Sequence, residues 1–201
     1  MQHILVAMTG ASGAVYGLRL VEELLASNCR VTLLLSRSGR QVLAHETGLD
    51  WQGDVAQRLA QMRQYFHCGE HLTHYDGDDI CAPPASGSAA LSAMVVMPCS
   101  MGTAGRLASG ISGNLIERAA DVMLKENRPL LLVPRETPLS VIHLENLLRL
   151  ARAGARIVPA MPAFYQKPQS MAELVDFMVG KVLDGLGIEH KLFHRWGEDA
   201  S

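Results

Sequence analysis

An apolar strand pattern, His3 to Thr9, runs without a linker into Gly10-Ala-Ser-Gly13 and straight on into a helical pattern. Such a turn is a backbone cradle for an anion. Its glycines admit close approach, and a helix N-terminus offers N–H groups and a favourable dipole. The feature points to a phosphorylated ligand and to a sheet built from βα units.

The glycine spacing narrows the ligand. A dinucleotide fingerprint has the form G-x-G-x-x-G, with an acidic residue closing the second strand. Here the glycines stand at Gly10, Gly13 and Gly17, and the second strand, Arg30 to Leu35, runs into Ser36-Arg37-Ser38. A hydroxyl beside an arginine suits a phosphate better than a ribose diol. That favours a mononucleotide, with NADP the weaker fit. The turn also approaches a nucleophile elbow, G-x-S-x-G, with Ser12 as nucleophile, but Ala14 stands where the last glycine belongs.

The remaining pattern alternates strand and helix, which predicts a parallel sheet covered on both faces. Helices are expected at Ala14 to Ala26, Gly39 to Glu46, Asp54 to Tyr65, Asn114 to Lys125, Val141 to Ala153 and from near Ser170 to near Gly187. Strands are expected at Leu72 to Tyr75, Ala93 to Met97, Pro129 to Val133 and Arg156 to Ala160. The stretch Ala82-Pro-Pro-Ala-Ser-Gly-Ser88 reads as irregular, because adjacent prolines remove donors and fix φ. With 201 residues and no linker or repeat, the chain is expected to form one α/β domain, a doubly wound parallel sheet in three αβα layers.

Composition excludes several classes of function. A net charge of −2 gives no case for nucleic acid or an acidic membrane. No run reaches the ~18 apolar residues of a membrane helix. The first residues enter a strand pattern directly, without a signal peptide. Cys29, Cys68, Cys81 and Cys99 show no C-x-x-C spacing, so reduced thiols and a cytoplasmic location are expected. The cluster His67, Cys68, His71, His74 and Cys81 matches no standard zinc spacing and reads as a solvated connection, with no metal expected.

Ligands bind beyond the carboxyl ends of strands in such sheets, and this chain collects its unusual residues there. They are Gly10 to Ser12, Ser36, Pro98 to Thr103, Arg135-Glu136 between Pro134 and Pro138, and Pro162 to Tyr165. Arg118 and Lys125, seven residues apart, share one side of a helix and are placed to reach one anion.

These residues carry a family resemblance. The chain resembles the UbiX-type flavin prenyltransferases through Met8-Thr-Gly-Ala-Ser-Gly-Ala14, Ala82 to Ser88 and Met97-Pro-Cys-Ser-Met-Gly-Thr103. The resemblance continues through Asn114 to Val122, Lys125 to Glu136, Pro162 to Ser170 and Arg195-Trp196-Gly197, and is weakest from Asp50 to Ile80. It implies a flavodoxin-like, Rossmann-like homo-oligomer, commonly a dodecamer, with the active site between subunits. The implied reaction joins a dimethylallyl group from dimethylallyl monophosphate to N5 and C6 of reduced FMN, without metal. The implied product, prenylated FMN, serves partner decarboxylases of the UbiD type, including one in ubiquinone biosynthesis.

Carried over by position, the resemblance assigns FMN contacts to Gly10, Ala11, Ser12, Ser36, Ser100, Met101, Gly102, Thr103 and Arg135. It assigns the prenyl phosphate to Tyr165 and Lys181, with Arg118 and Lys125 also reaching it, and the prenyl pocket to Trp196. Glu136 is the implied proton donor to the leaving phosphate; Glu46, Ser12 and Lys125 complete the catalytic set. Some relatives carry arginine in place of Lys181, which keeps the charge but loses the bidentate fork. A rival within the fold, a flavin-dependent cysteine decarboxylase, would need a P-x-M-N run, where this chain has Pro162-Ala-Phe-Tyr165. A simple FMN carrier would not need Arg118, Lys125, Tyr165 and Lys181.

Overall fold

A computed structural model describes residues 1–195. In chain order it forms β1 (His3–Met8), α1 (Ala14–Ala26), β2 (Arg30–Leu35), α2 (Arg37–Thr47), α3 (Val55–Tyr65) and β3 (Leu72–His74). There follow β4 (Ala93–Cys99), α4 (Met101–Ala108), α5 (Leu115–Lys125), β5 (Leu130–Pro134), α6 (Val141–Arg152), β6 (Arg156–Ile157) and α7 (Met171–Leu186). The strands pair in parallel in the order β3-β2-β1-β4-β5-β6. The order reverses between β1 and β4, and at such a reversal the connections on either side diverge and leave a crevice.

The expected doubly wound sheet is present, and its two faces are two separate cores. Alternate residues of one strand point to opposite faces. Ile4, Val6 and Met8 therefore pack with Leu18, Val21 and Leu24 of α1, Leu43 of α2, Met62 of α3 and Val179 and Val182 of α7. Leu5 and Ala7 instead join Met94, Val96, Leu130 and Leu132 against α4, α5 and α6. Burial on both faces is why the strands read as unbroken apolar runs.

Five local expectations need correction. The Ser100 to Thr103 stretch opens a helix, α4, which two low-propensity glycines, Gly102 and Gly105, had disguised. Helix α2 starts at Arg37 rather than Gly39, because Ser36 is its N-cap and accepts from Gly39 N at 2.9 Å. β6 is two residues long rather than five, as Pro159 has no amide proton for a ladder. Within Ala82 to Ser88, Pro83–Ala85 forms one turn of 3-10 helix packed on α5. β4 also extends beyond Met97, through a cis Met97–Pro98 bond, to Cys99.

Candidate active site

The sequence-predicted flavin residues converge. Thr9, buried at the end of β1, donates its hydroxyl to Pro98 O at 2.9 Å and accepts from Ser100 N at 2.8 Å. It clamps the loops after β1 and β4 together across the reversal of strand order. The sequence reading missed Thr9; its signal was a polar residue closing an apolar strand. Across the same crevice, Arg135 Nε donates to Ser12 O at 3.2 Å, bringing in the loop after β5.

Helix α2 supplies the fourth wall. Its first turn lies so close to β1 that a Cβ on Gly10 would stand 2.5 Å from Ser38 Oγ. Its last turn returns Glu46 to the start of α1. The Glu46 carboxylate accepts from Gly13 N at 3.0 Å and Ala14 N at 2.8 Å, and the Ser12 hydroxyl also bonds to it. The amides expected to be free for a ligand phosphate are thus met by the chain's own anion. Burial by itself raises the Glu46 pKa, but the Ser12 hydroxyl, the two amides and Arg135 outweigh it and hold the carboxyl below its usual range.

The open helix ends are those of α2 and α4. Ser100 Oγ caps α4, accepting from Thr103 N at 3.2 Å, and lies 3.0 Å from the Thr103 hydroxyl. At Gly102, in the first turn, nothing stands within 4 Å of where a Cβ would be. Bare backbone beside open space, two hydroxyl-capped helix starts and one guanidinium fit a phosphorylated, planar ligand. Met101 and Ala11 are buried, 5% exposed each. Glu136 stands beside Arg135, with Oε1 accepting from Thr137 N at 3.2 Å.

The residues assigned to the prenyl phosphate are not gathered with these. Arg118 and Lys125 sit on α5, which packs on one face of the sheet. Both border the loop after β3. Arg118 Nε donates to Ala85 O at 3.1 Å and its Nη1 to Asp121 at 2.8 Å, while Lys125 Nζ lies 2.5 Å from Glu126 Oε1. Two helical turns separate them, about 10 Å. Lys181 belongs to α7, on the opposite face. Tyr165 packs on the same helix: its ring centroid lies 6.1 Å from that of Phe177, one turn before Lys181. Within one chain, then, Arg118 and Lys125 cannot share an anion with Lys181. Trp196 lies outside the described residues. In the histidine-rich connection, among the described residues, no three His, Cys, Asp or Glu side chains are placed to hold a metal ion.

A doubly wound sheet with a backbone-lined crevice at its switch point defines a nucleotide-binding α/β protein, and the comparisons make the class specific: a family model described as Flavoprotein matches residues 1–183, and the chain belongs to that family. Within it, the flavin prenyltransferase UbiX of Halalkalibacterium halodurans is 51% identical over 195 residues, covering 96% of this chain and 93% of its own. The solved structure of AnUbiX (PadA1) in complex with FMN and dimethylallyl pyrophosphate superposes with a TM-score of 0.88 at 40% identity, covering 98% of this chain and 97% of that one. A dodecameric FMN-dependent UbiX-like decarboxylase from Escherichia coli O157:H7 superposes with a TM-score of 0.85 at 38% identity, covering 97% and 99%. The chain is a member of the UbiX-type flavin prenyltransferases. Among its described residues no helix is long and apolar enough to cross a membrane.

Proposed function

We propose that this protein transfers a dimethylallyl group from dimethylallyl monophosphate to reduced FMN, giving prenylated FMN for a UbiD-type decarboxylase. The observation that carries the reading is the meeting of Ser12, Glu46 and Arg135 beside the capped starts of α2 and α4. Gly10, Ala11, Ser12, Ser36, Ser100 to Thr103 and Arg135 would hold the flavin nucleotide. Bound reduced FMN supplies the nucleophilic N5 and C6 that take up the prenyl carbons.

The remaining chemistry falls to side chains. Breaking the allylic C–O bond leaves positive charge on the prenyl group and two negative charges on phosphate. Arg118, Lys125 and Lys181, with the Tyr165 hydroxyl, stabilise the phosphate, and Glu136 protonates it as it departs. Ser12 and Glu46, joined by a hydrogen bond, are the pair able to hold or pass a proton on the flavin side. Trp196 would shield the cation from water.

Because Arg118 and Lys125 lie across the sheet from Lys181, neighbouring copies must complete each other's sites. The exposed apolar stripe Val141, Ile142, Leu144 and Leu148 on α6 supports such packing, as does the dodecameric relative. Anaerobic incubation with reduced FMN and dimethylallyl monophosphate, followed by mass spectrometry of the flavin, tests the reading. A flavin heavier by one five-carbon unit, with phosphate released, is expected. FMN recovered unchanged from a reduced, bound complex would overturn it in favour of a carrier.

A further inference from the structure

Beyond α7 the chain doubles back along that helix. Phe177, Gly180, Lys181 and Asp184 fall at i, i+3, i+4 and i+7, one stripe of the helix surface. The returning segment, residues 188–195, lies on this stripe. The Phe193 ring centroid is 5.2 Å from that of Phe177 and 5.0 Å from that of His190. Only glycine at 180 leaves room for it, since a Cβ there would stand 2.5 Å from Phe193 Cε1 and 2.7 Å from His190 Cε1. Gln166 Nε2 donates to His194 O at 2.9 Å, which ties the same segment to the Tyr165 loop.

Asp184 is the polar hub of this arrangement. Its Oδ1 accepts from Arg195 Nη2 at 2.8 Å and from His190 Nε2 at 3.2 Å, while its Oδ2 lies 3.9 Å from Lys181 Nζ. Leu192 N donates to His190 Nδ1 at 3.2 Å, so the Nε2 nitrogen carries the proton given to Asp184. Three basic side chains thus converge on one carboxylate, His190 and Arg195 through hydrogen bonds and Lys181 through a longer ion-pair contact. Arg195 takes the short contact. Lys181 keeps the long one, and an ammonium has three donors, so it remains able to serve a ligand.

We propose that Asp184 is a positioning residue. It fixes the returning segment and orients the Lys181 ammonium, so that Tyr165 and Lys181 present one pre-organised half-site to the donor phosphate. This rests on the reading that Tyr165 and Lys181 bind that phosphate. Lysine's four-carbon stem is otherwise free to sample many rotamers, and holding it in place removes an ordering cost from binding. The effect therefore belongs in donor affinity, not in flavin binding or in the bond-breaking step.

Steady-state kinetics of the FMN-loaded enzyme with dimethylallyl monophosphate test this. Asp184→Asn is expected to raise KM by about tenfold while kcat changes less than about twofold, and Asp184→Glu is expected to restore most of the loss. Gly180→Ala, which displaces the segment without touching a charge, is expected to raise KM in the same direction. Lys181→Ala must raise KM for the underlying reading to stand. If Lys181→Ala raises KM and Asp184→Asn does not, the positioning role is wrong; if neither does, the phosphate reading itself is wrong. Should Asp184→Asn fail to fold, the Asp184→Ser and Lys181→Ala cycle decides, with Asp184→Glu as the rescuing control. KM effects that simply multiply would overturn the proposal, because residues acting through one another do not add.

Discussion

At the start of α1, the Glu46 carboxylate takes the amide protons of Gly13 and Ala14 and the hydroxyl proton of Ser12. Its pKa lies below the ordinary glutamate value of 4.5. A depressed carboxyl stabilises the fold above that ordinary value, and the stabilisation is lost as pH falls through the folded value. Glu46→Gln is therefore expected to flatten the acid limb of a melting-temperature profile below about pH 4.5. At neutral pH the cost should be that of a helix cap, about 0.5–1 kcal/mol, at the low end because the carboxylate is largely in solvent. Glu136→Gln should instead leave FMN binding intact and slow single-turnover prenylation about 10²- to 10⁴-fold, the range of a lost general acid. Unchanged single-turnover kinetics would remove Glu136 from that role. Residue identities at this scale were partly legible. Ser36 and Ser100 stood out as hydroxyls at strand ends, while their roles as the N-caps of α2 and α4 were not read. The Glu46 contact did not, because 33 residues separate it from Gly13 and only the path of α2 over the sheet edge brings it back.

The helices α1 and α4 show two opposite uses of glycine. Gly17 brings α1 against the backbone of β4, where a Cβ would stand 2.5 Å from Met97 O and 2.9 Å from Met8 Cγ. Gly17→Ala is expected to destabilise by about 1–3 kcal/mol, the usual cost of overpacking, as urea unfolding would report. Gly102 faces open space instead. Gly102→Ala should leave the ligand-free protein as stable or up to about 1 kcal/mol more so through helix propensity, yet weaken FMN binding in a fluorescence titration. A variant that bound FMN as tightly as the parent would place the ligand away from the first turn of α4. The same residue explains the missed element. Gly102 and Gly105 lower propensity over a helix of eight residues, while the stripe Met101, Ala104, Leu107 and Ala108 that buries it was the available signal. The long apolar patterns of α1, α5 and α7 were readable because their buried stripes ran for three turns or more. β6 was overread because Val158 and Ala160 accept the neighbourhood of β5 through single bonds, Val158 N to Leu132 O and Ala160 N to Pro134 O, at 2.8 and 3.0 Å, without forming a ladder.

Over the whole molecule, the sheet separates the cations of α5 from that of α7. No spacing in a sequence reports which face of a sheet a helix covers, so Arg118, Lys125 and Lys181 looked like one cluster. A site shared between copies has a genetic signature. Lys125→Ala and Lys181→Ala should each cut turnover sharply at low donor concentration. Co-expressed, they should recover about a quarter of wild-type activity there if one copy gives Lys125 and another Lys181, since two independent halves must both be intact. No recovery in a verified mixed oligomer would place both residues in one chain's site.

The internal pairing of Glu46 with the start of α1 has a consequence for how the protein meets dissolved salts. A helix end that brings its own counter-ion has nothing to gain from chloride, sulfate or phosphate in the medium. The starts of α2 and α4, capped only by neutral hydroxyls, keep their partial positive charge available. Inorganic anions are therefore expected at the two ends that the proposed site offers to a nucleotide and not at the one that Glu46 fills, so buffer anions should lower FMN affinity by competition while leaving the start of α1 unchanged.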